Sequence, residues 1–109
     1  MKKEEEKFFL RYSLENNFLI FFMGKKHLAT ISILVKDREK NSPELNRILT
    51  HNGHLILARL GVNVQKQCME HCTGLIVVVI EATAEEINAM TSQLDGLYGI
   101  VAKKTLLTD

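Results

Sequence analysis

Cys68, Met69, Glu70, His71 and Cys72 put two thiols and an imidazole within a single short segment. Thiolate and imidazole suit zinc, iron or copper(I), and a flexible loop allows all three side chains to converge on one ion. A closed structural site needs a fourth donor, for which the sequence offers His54, His51 or a residue of a neighbouring subunit. The paired CxxC spacing of familiar zinc motifs is absent. Three readings therefore stay open: a metal or redox sensor built on Cys68, His71 and Cys72, a reversible Cys68–Cys72 disulfide, or two reduced thiols without a task. His51 and His54 flank the turn Asn52-Gly53 and read first as solvated turn residues. Arg59 reads as a cation that pairs with an acid or faces an open sheet surface, or else as an anion-binding position at a subunit interface.

The elements that must position these side chains follow from periodicity. Residues 54–64 (HLILARLGVNV) read as a strand, and so do residues 74–82 (GLIVVVIEA). The connection QKQCMEHCT is too short for a crossover helix, so the two strands are expected to be antiparallel neighbours. Before them, residues 27–36 (HLATISILVK) alternate, with Ala29, Ile31, Ile33 and Val35 on one face and Thr30 and Ser32 on the other, the pattern of a half-buried strand. The charged stretch KDREKN alternates in sign and reads as a solvated loop. Ser42-Pro43-Glu44 then reads as an N-cap with proline at the first helical position, and Leu45, Ile48 and Leu49 share one helical face until Asn52-Gly53 ends it. Thr83-Ala84-Glu85-Glu86 is a capping box, followed by the stripe Ile87, Met90 and Leu94 and a stop at Gly96. Residues 98–107 (YGIVAKKTLL) form the last strand, whose Lys103 and Lys104 favour an edge.

The order βαββαβ predicts an α+β, ferredoxin-like domain, a four-stranded antiparallel sheet with two helices on one face. The third strand is apolar on both sides, with Leu75, Val77 and Val79 opposed to Ile76, Val78 and Ile80. Helices cover one set only, and the other set predicts a homo-oligomer, dimer or tetramer, through the open sheet face.

Composition narrows the function. The chain of 109 residues fits one domain, and its net charge of +1 gives little attraction for phosphate, so direct nucleic acid binding is not expected. An RNA-recognition motif needs aromatic side chains on its central strands, and GLIVVVIEA has none. A copper chaperone of this topology carries its cysteines after the first strand, where this chain has KDREKNS. An acylphosphatase-like enzyme needs a phosphate-cradling loop, and Arg38 stands there without a glycine-rich cradle. A non-enzymatic protein is therefore expected. With only two cysteines and no apolar run long enough to span a bilayer, the expected location is the cytoplasm, with no membrane partner.

Residues 1–22 differ from the rest. All five phenylalanines (Phe8, Phe9, Phe18, Phe21, Phe22) lie before Met23, and Tyr98 is the one aromatic residue after it. The domain is expected to span residues 23–109, with residues 1–22 an extension. Met23-Gly24-Lys25-Lys26 reads like a natural protein start, which leaves the upstream segment untranslated, disordered, or an apolar arm that docks on a partner subunit or a membrane surface.

Over residues 27–107 the chain resembles the small proteins described as iron-only hydrogenase system regulators. The matching motifs are Val35-Lys36-Asp37-Arg38-Glu39, Arg59-Leu60-Gly61-Val62, and Glu85-Glu86-Ile87-Asn88-Ala89-Met90-Thr91. Those proteins look like the ACT-type ligand-sensing domain that also forms the metal-binding half of nickel-responsive repressors. The resemblance implies a cytoplasmic, non-enzymatic oligomer linked to the hydrogenase system, binding a small effector or a hydrogenase-system protein, with Arg59 and Gly61 at the ligand position. The chain departs from the family pattern at Ser92-Gln93-Leu94-Asp95-Gly96 and at Asn63. The positions corresponding to nickel ligands fall at Gly61, Asn63 and Gly74, which lack side-chain ligands for nickel. Any metal is then expected to be zinc or iron at the cysteine loop.

Overall fold

The computed structural model describes residues 24–109; the readings made for residues 1–22 and for a start at Met23 fall outside them. Alternation in the first apolar run becomes β1 (Lys26–Val35), with Ala29, Ile31, Ile33 and Val35 buried. There follow α1 (Arg38–His51), a single 3-10 turn (Gly53–Leu55), β2 (Ile56–Asn63), β3 (Gly74–Thr83), α2 (Ala84–Asp95) and β4 (Ile100–Leu106). The strands form one sheet in the order β2-β3-β1-β4, every neighbouring pair antiparallel. This is the α+β ferredoxin-like arrangement. β4 is an edge strand, and Lys103 and Lys104 on it are exposed.

One face of the sheet is sealed by both helices. Leu45, Ile48 and Leu49 from α1 and Ile87, Met90 and Leu94 from α2 close over Ile31, Ile33, Val78, Ile80 and Ala102. Full burial of a large aliphatic side chain stabilises by about 1.5–3 kcal/mol, so this layer holds the fold. The capping box forms at the start of α2: Glu86 N–H donates to Thr83 Oγ1 at 3.2 Å, and Thr83 N–H donates to Glu86 Oε1 at 2.9 Å. At the other end of α2, Asp95 Oδ1 accepts the Ala102 N–H at 2.9 Å and ties the helix to β4.

Two elements differ from the sequence expectation. Helix α1 begins at Arg38, so Pro43 sits inside it and the charged stretch expected to be a loop forms its first turn. The start is set from outside the helix. Arg38 N–H donates to the Cys72 carbonyl at 2.8 Å, while Lys40 and Asn41 N–H reach the Asp37 carbonyl at 3.1 and 3.0 Å. Pro43 removes the bond to the Glu39 carbonyl, a loss that costs little at an exposed residue near a helix start.

The second difference is in β2. Ile56 pairs with Ile80 but Ala58 pairs with Val79, so Leu57 is an extra residue in a bulge. Simple alternation from Ile56 would turn Leu60 toward the helices and Arg59 away. The bulge reverses this: Arg59, Gly61 and Asn63 lie on the helix side, opposite Val78, Ile76 and Gly74, and Leu60 and Val62 lie on the open side, opposite Val77 and Leu75.

The open face is apolar along the middle of β2 and β3 and mixed on β1 and β4, where Thr30, Ser32, Lys103 and Thr105 also stand. Leu34 of β1, Leu75, Val77 and Val79 of β3 and Val101 of β4 stand there with Ala58, Leu60 and Val62 of β2. Leu75, Val77 and Val79 are half-buried, and Leu60 is 63% exposed. No helix among the described residues is long and apolar enough to cross a membrane.

Candidate functional site

Arg38, Ser42 and Asn46 recur at every fourth residue of α1 and so share one helical face. Beneath them lie Arg59, Gly61 and Asn63, turned to that side by the bulge, and Gly74 at the start of β3. Together these residues line an open cleft of about 300 Å³, with Val35 and Ile76 at its apolar floor. Arg59 Nη2 donates to Asn46 Oδ1 at 2.6 Å and bridges strand to helix.

Gly74 positions Arg38. A Cβ at residue 74 would lie 2.5 Å from Arg38 Cδ, so the missing side chain leaves the room in which the arginine stem crosses β3. The cleft therefore contains two guanidinium groups, the Ser42 hydroxyl and the amides of Asn46 and Asn63, with no carboxylate among its lining residues. The ion pairs among the described residues join Arg47 to Glu44 and His71 to Asp37 and Glu70, and none involves Arg38 or Arg59. Such a donor set fits an anion, because guanidinium presents paired N–H groups to carboxylate or phosphate oxygens.

The cysteine loop lies beside one end of this cleft. Cys68 and Cys72 are joined as a disulfide, which leaves no free cysteine among the described residues. Cys72 is buried at 8% exposure and Cys68 is half-buried. His71 is exposed, and its Nδ1 lies 3.1 Å from Asp37 Oδ2. His54 stands in the 3-10 turn ahead of β2, whereas the cysteines follow that strand. An eight-residue strand is about 26 Å long, so the fold does not bring His54 to the loop. His51 ends α1, on the same distant side. No group of three or more His, Cys, Asp or Glu side chains among the described residues is arranged to hold a metal ion.

Of the residues singled out in the sequence, Arg59 and Gly61 share the cleft, and Cys68, His71 and Cys72 share the loop next to it. Arg59 was expected to pair with an acid or face the open sheet, or else to bind an anion at a subunit interface. It faces the helices and meets the neutral Asn46, because the bulge at Leu57 moves it across. Sequence reasoning missed Arg38, Ser42 and Asn46. Their four-residue spacing is legible, but only once the helix is known to start before Ser42. Gly61, Asn63 and Gly74, the positions expected to correspond to nickel ligands, do come together, and they do so beside two arginines.

A family model described as "TM1266-like: Iron-only hydrogenase system regulator, putative" matches residues 27–104. The solved structure of the uncharacterized protein TM1266 from Thermotoga maritima superposes with a TM-score of 0.69 at 26% identity, covering 77% of this chain and 100% of that one. No curated protein matches the chain.

Proposed function

We propose, starting from the premise that the chain belongs to the TM1266-like family of iron-only hydrogenase system regulators, that it is a non-enzymatic sensor of a small anion. The effector sits in the cleft between α1 and β2. The observation that carries this reading is the pair Arg38 and Arg59, which line one cleft with no carboxylate among its lining residues. A hydrogen bond to a charged group contributes about 1.5–3 kcal/mol, so two arginines give a small carboxylate or phosphate useful affinity.

The protein works in the cytoplasm as a homo-oligomer assembled through the open sheet face, where Leu60, Val62, Val77 and Val79 present an apolar surface. Its output passes to a hydrogenase-system protein by contact, without direct binding to nucleic acid.

Isothermal titration with phosphate, citrate and glutamate, each against a chloride control, tests the effector reading. One of these anions is expected to bind saturably, with affinity falling roughly ten- to a hundredfold in Arg59→Ala and in Arg38→Ala. Binding that is indifferent to both substitutions, or no binding of any of the three, would remove the cleft from consideration.

A further inference from the structure

The loop of residues 64–73 is fastened to α1 from outside the cleft. The Cys72 carbonyl accepts the Arg38 N–H at 2.8 Å, and His71 Nδ1 meets Asp37 Oδ2 at 3.1 Å. Arg38 N–H belongs to the first turn of a helix, whose amides have no carbonyl within the helix to bond. The Asp37 side chain does not cap it. Cys72 does so instead, from a separate element, and the bond to Cys68 closes the small ring in which Cys72 and His71 are held.

The same junction concentrates unfavourable backbone geometry. Asp37 (φ 51), Gln67 (φ 60) and His71 (φ 53) are the non-glycine residues with positive φ among the described residues. A Cβ makes this region unfavourable, and such residues persist where their surroundings over-determine them. Here the surroundings are the ring, the His71–Asp37 contact and the Cys72–Arg38 bond. Opening the ring frees His71 to return to an ordinary φ and removes the constraint that aims the Cys72 carbonyl at α1.

We propose that Cys68–Cys72 is a reversible thiol–disulfide modification site, exchanged with a cellular dithiol, and that its state decides whether the first turn of α1, with Arg38, is held over the cleft. A thiolate of the dithiol attacks Cys68, the less buried of the two sulfurs. The Cys68–Cys72 bond breaks, Cys72 leaves as a thiolate that takes up a proton, and a mixed disulfide remains on Cys68. The second thiol of the reductant then attacks its own mixed-disulfide sulfur and releases Cys68. Two electrons and two protons have passed to the protein, and the dithiol leaves as its disulfide. The reduced Cys68 thiol has an acceptor waiting, since the Glu70 carbonyl lies 3.3 Å from its sulfur. Asn41, at the end of the first turn, donates its side-chain amide to the Lys36 carbonyl, a tie that does not pass through the cysteine ring and keeps the rest of α1 anchored when the ring opens.

This proposal goes beyond the effector reading and does not depend on it, because its readout is the Arg38 amide and not a bound anion. The full chain is equilibrated in mixtures of reduced and oxidised dithiothreitol, its redox state is read as the mass shift on thiol alkylation, and amide hydrogen exchange is measured in each state. The expected result is a reversible transition between two species, with the Arg38 amide exchanging roughly five- to tenfold faster in the reduced one. The paired amides of β1 and β3 remain unchanged. The double variant Cys68→Ser, Cys72→Ser shows the reduced pattern in every mixture; should it fail to fold, the reduced wild-type chain supplies the comparison alone. Failure of the disulfide to form, or an Arg38 amide indifferent to it, overturns the proposal. Stoichiometric zinc uptake by the reduced chain, titrated with zinc chloride alone and lost in the double variant, also overturns it and makes the loop a metal site.

Discussion

At residue 74 a hydrogen stands where any other residue has a carbon, and Arg38 occupies the space. Gly74→Ala places a Cβ 2.5 Å from Arg38 Cδ, and the arginine is the partner able to move. The substitution is expected to change stability by less than about 1 kcal/mol in a denaturant titration, while lowering anion affinity as Arg38→Ala does. Gly99 is different: its φ of 76 is left-handed, and an added Cβ would collide with the Asn41 amide. Gly99→Ala is expected to cost about 1–2 kcal/mol by the same titration, because there the backbone itself is unfavourable. Arg59 and the two cysteines were visible in the sequence as chemistry without a location. Arg38 was hidden in a run of alternating charge that reads equally well as solvated loop. The helix start there is fastened by the hydrogen bond that the Arg38 N–H donates to the Cys72 carbonyl, 34 positions along the chain, which no local pattern announces.

Among the elements, α2 was the most legible and α1 the least. Every signal for α2 is local: Thr83, Glu86 and the Ile87, Met90, Leu94 stripe lie within one segment and agree with each other. Thr83→Ala removes an N-cap oxygen and is expected to lower stability by about 1 kcal/mol, read from thermal or chemical melting. The signals for α1 conflict, since Ser42-Pro43 marks a good helix start that the tertiary bond to Cys72 overrides. The loop that makes this bond is itself closed by a disulfide. Chain-entropy reasoning assigns a ring this short about 2 kcal/mol. Comparing wild type with the Cys68→Ser, Cys72→Ser variant by denaturant titration should show that difference in oxidising buffer and none in excess dithiothreitol. A difference that survives the reductant would place the effect of serine elsewhere than in the bond.

For the whole molecule, the fold followed from the order of periodic segments, because a four-strand sheet with one helical layer is the simplest way to bury Ile31, Ile33, Val78 and Ile80 together with the two helical stripes. Which residues of β2 belong to which surface did not follow, since nothing in ILARLGVN marks Leu57 as extra. The surface left over is apolar across the middle of β2 and β3, with Leu34 and Val101 beside them, and it is the part of the proposed function most directly open to mutation. Leu60→Asp lies opposite Val77 on the edge strand β2 of that face, and Leu60 is already 63% exposed in the single chain. It should leave the monomer's stability within about 0.5 kcal/mol while shifting the light-scattering mass to that of one subunit. An unchanged oligomer mass would move the interface to another surface.

The bulge at Leu57 also carries a consequence for how the protein can change over time. Beyond it, odd-numbered residues of β2 serve the cleft and even-numbered residues serve the open face, so both surfaces are fixed by parity. A substitution in this strand acts chiefly on one surface, although Val62 borders the cleft as well. Gaining or losing a single residue between the bulge and Asn63 would instead exchange the two, laying leucine and valine into the cleft and setting an arginine on the apolar face. The strand is open to revision letter by letter, and closed to any shift of its frame.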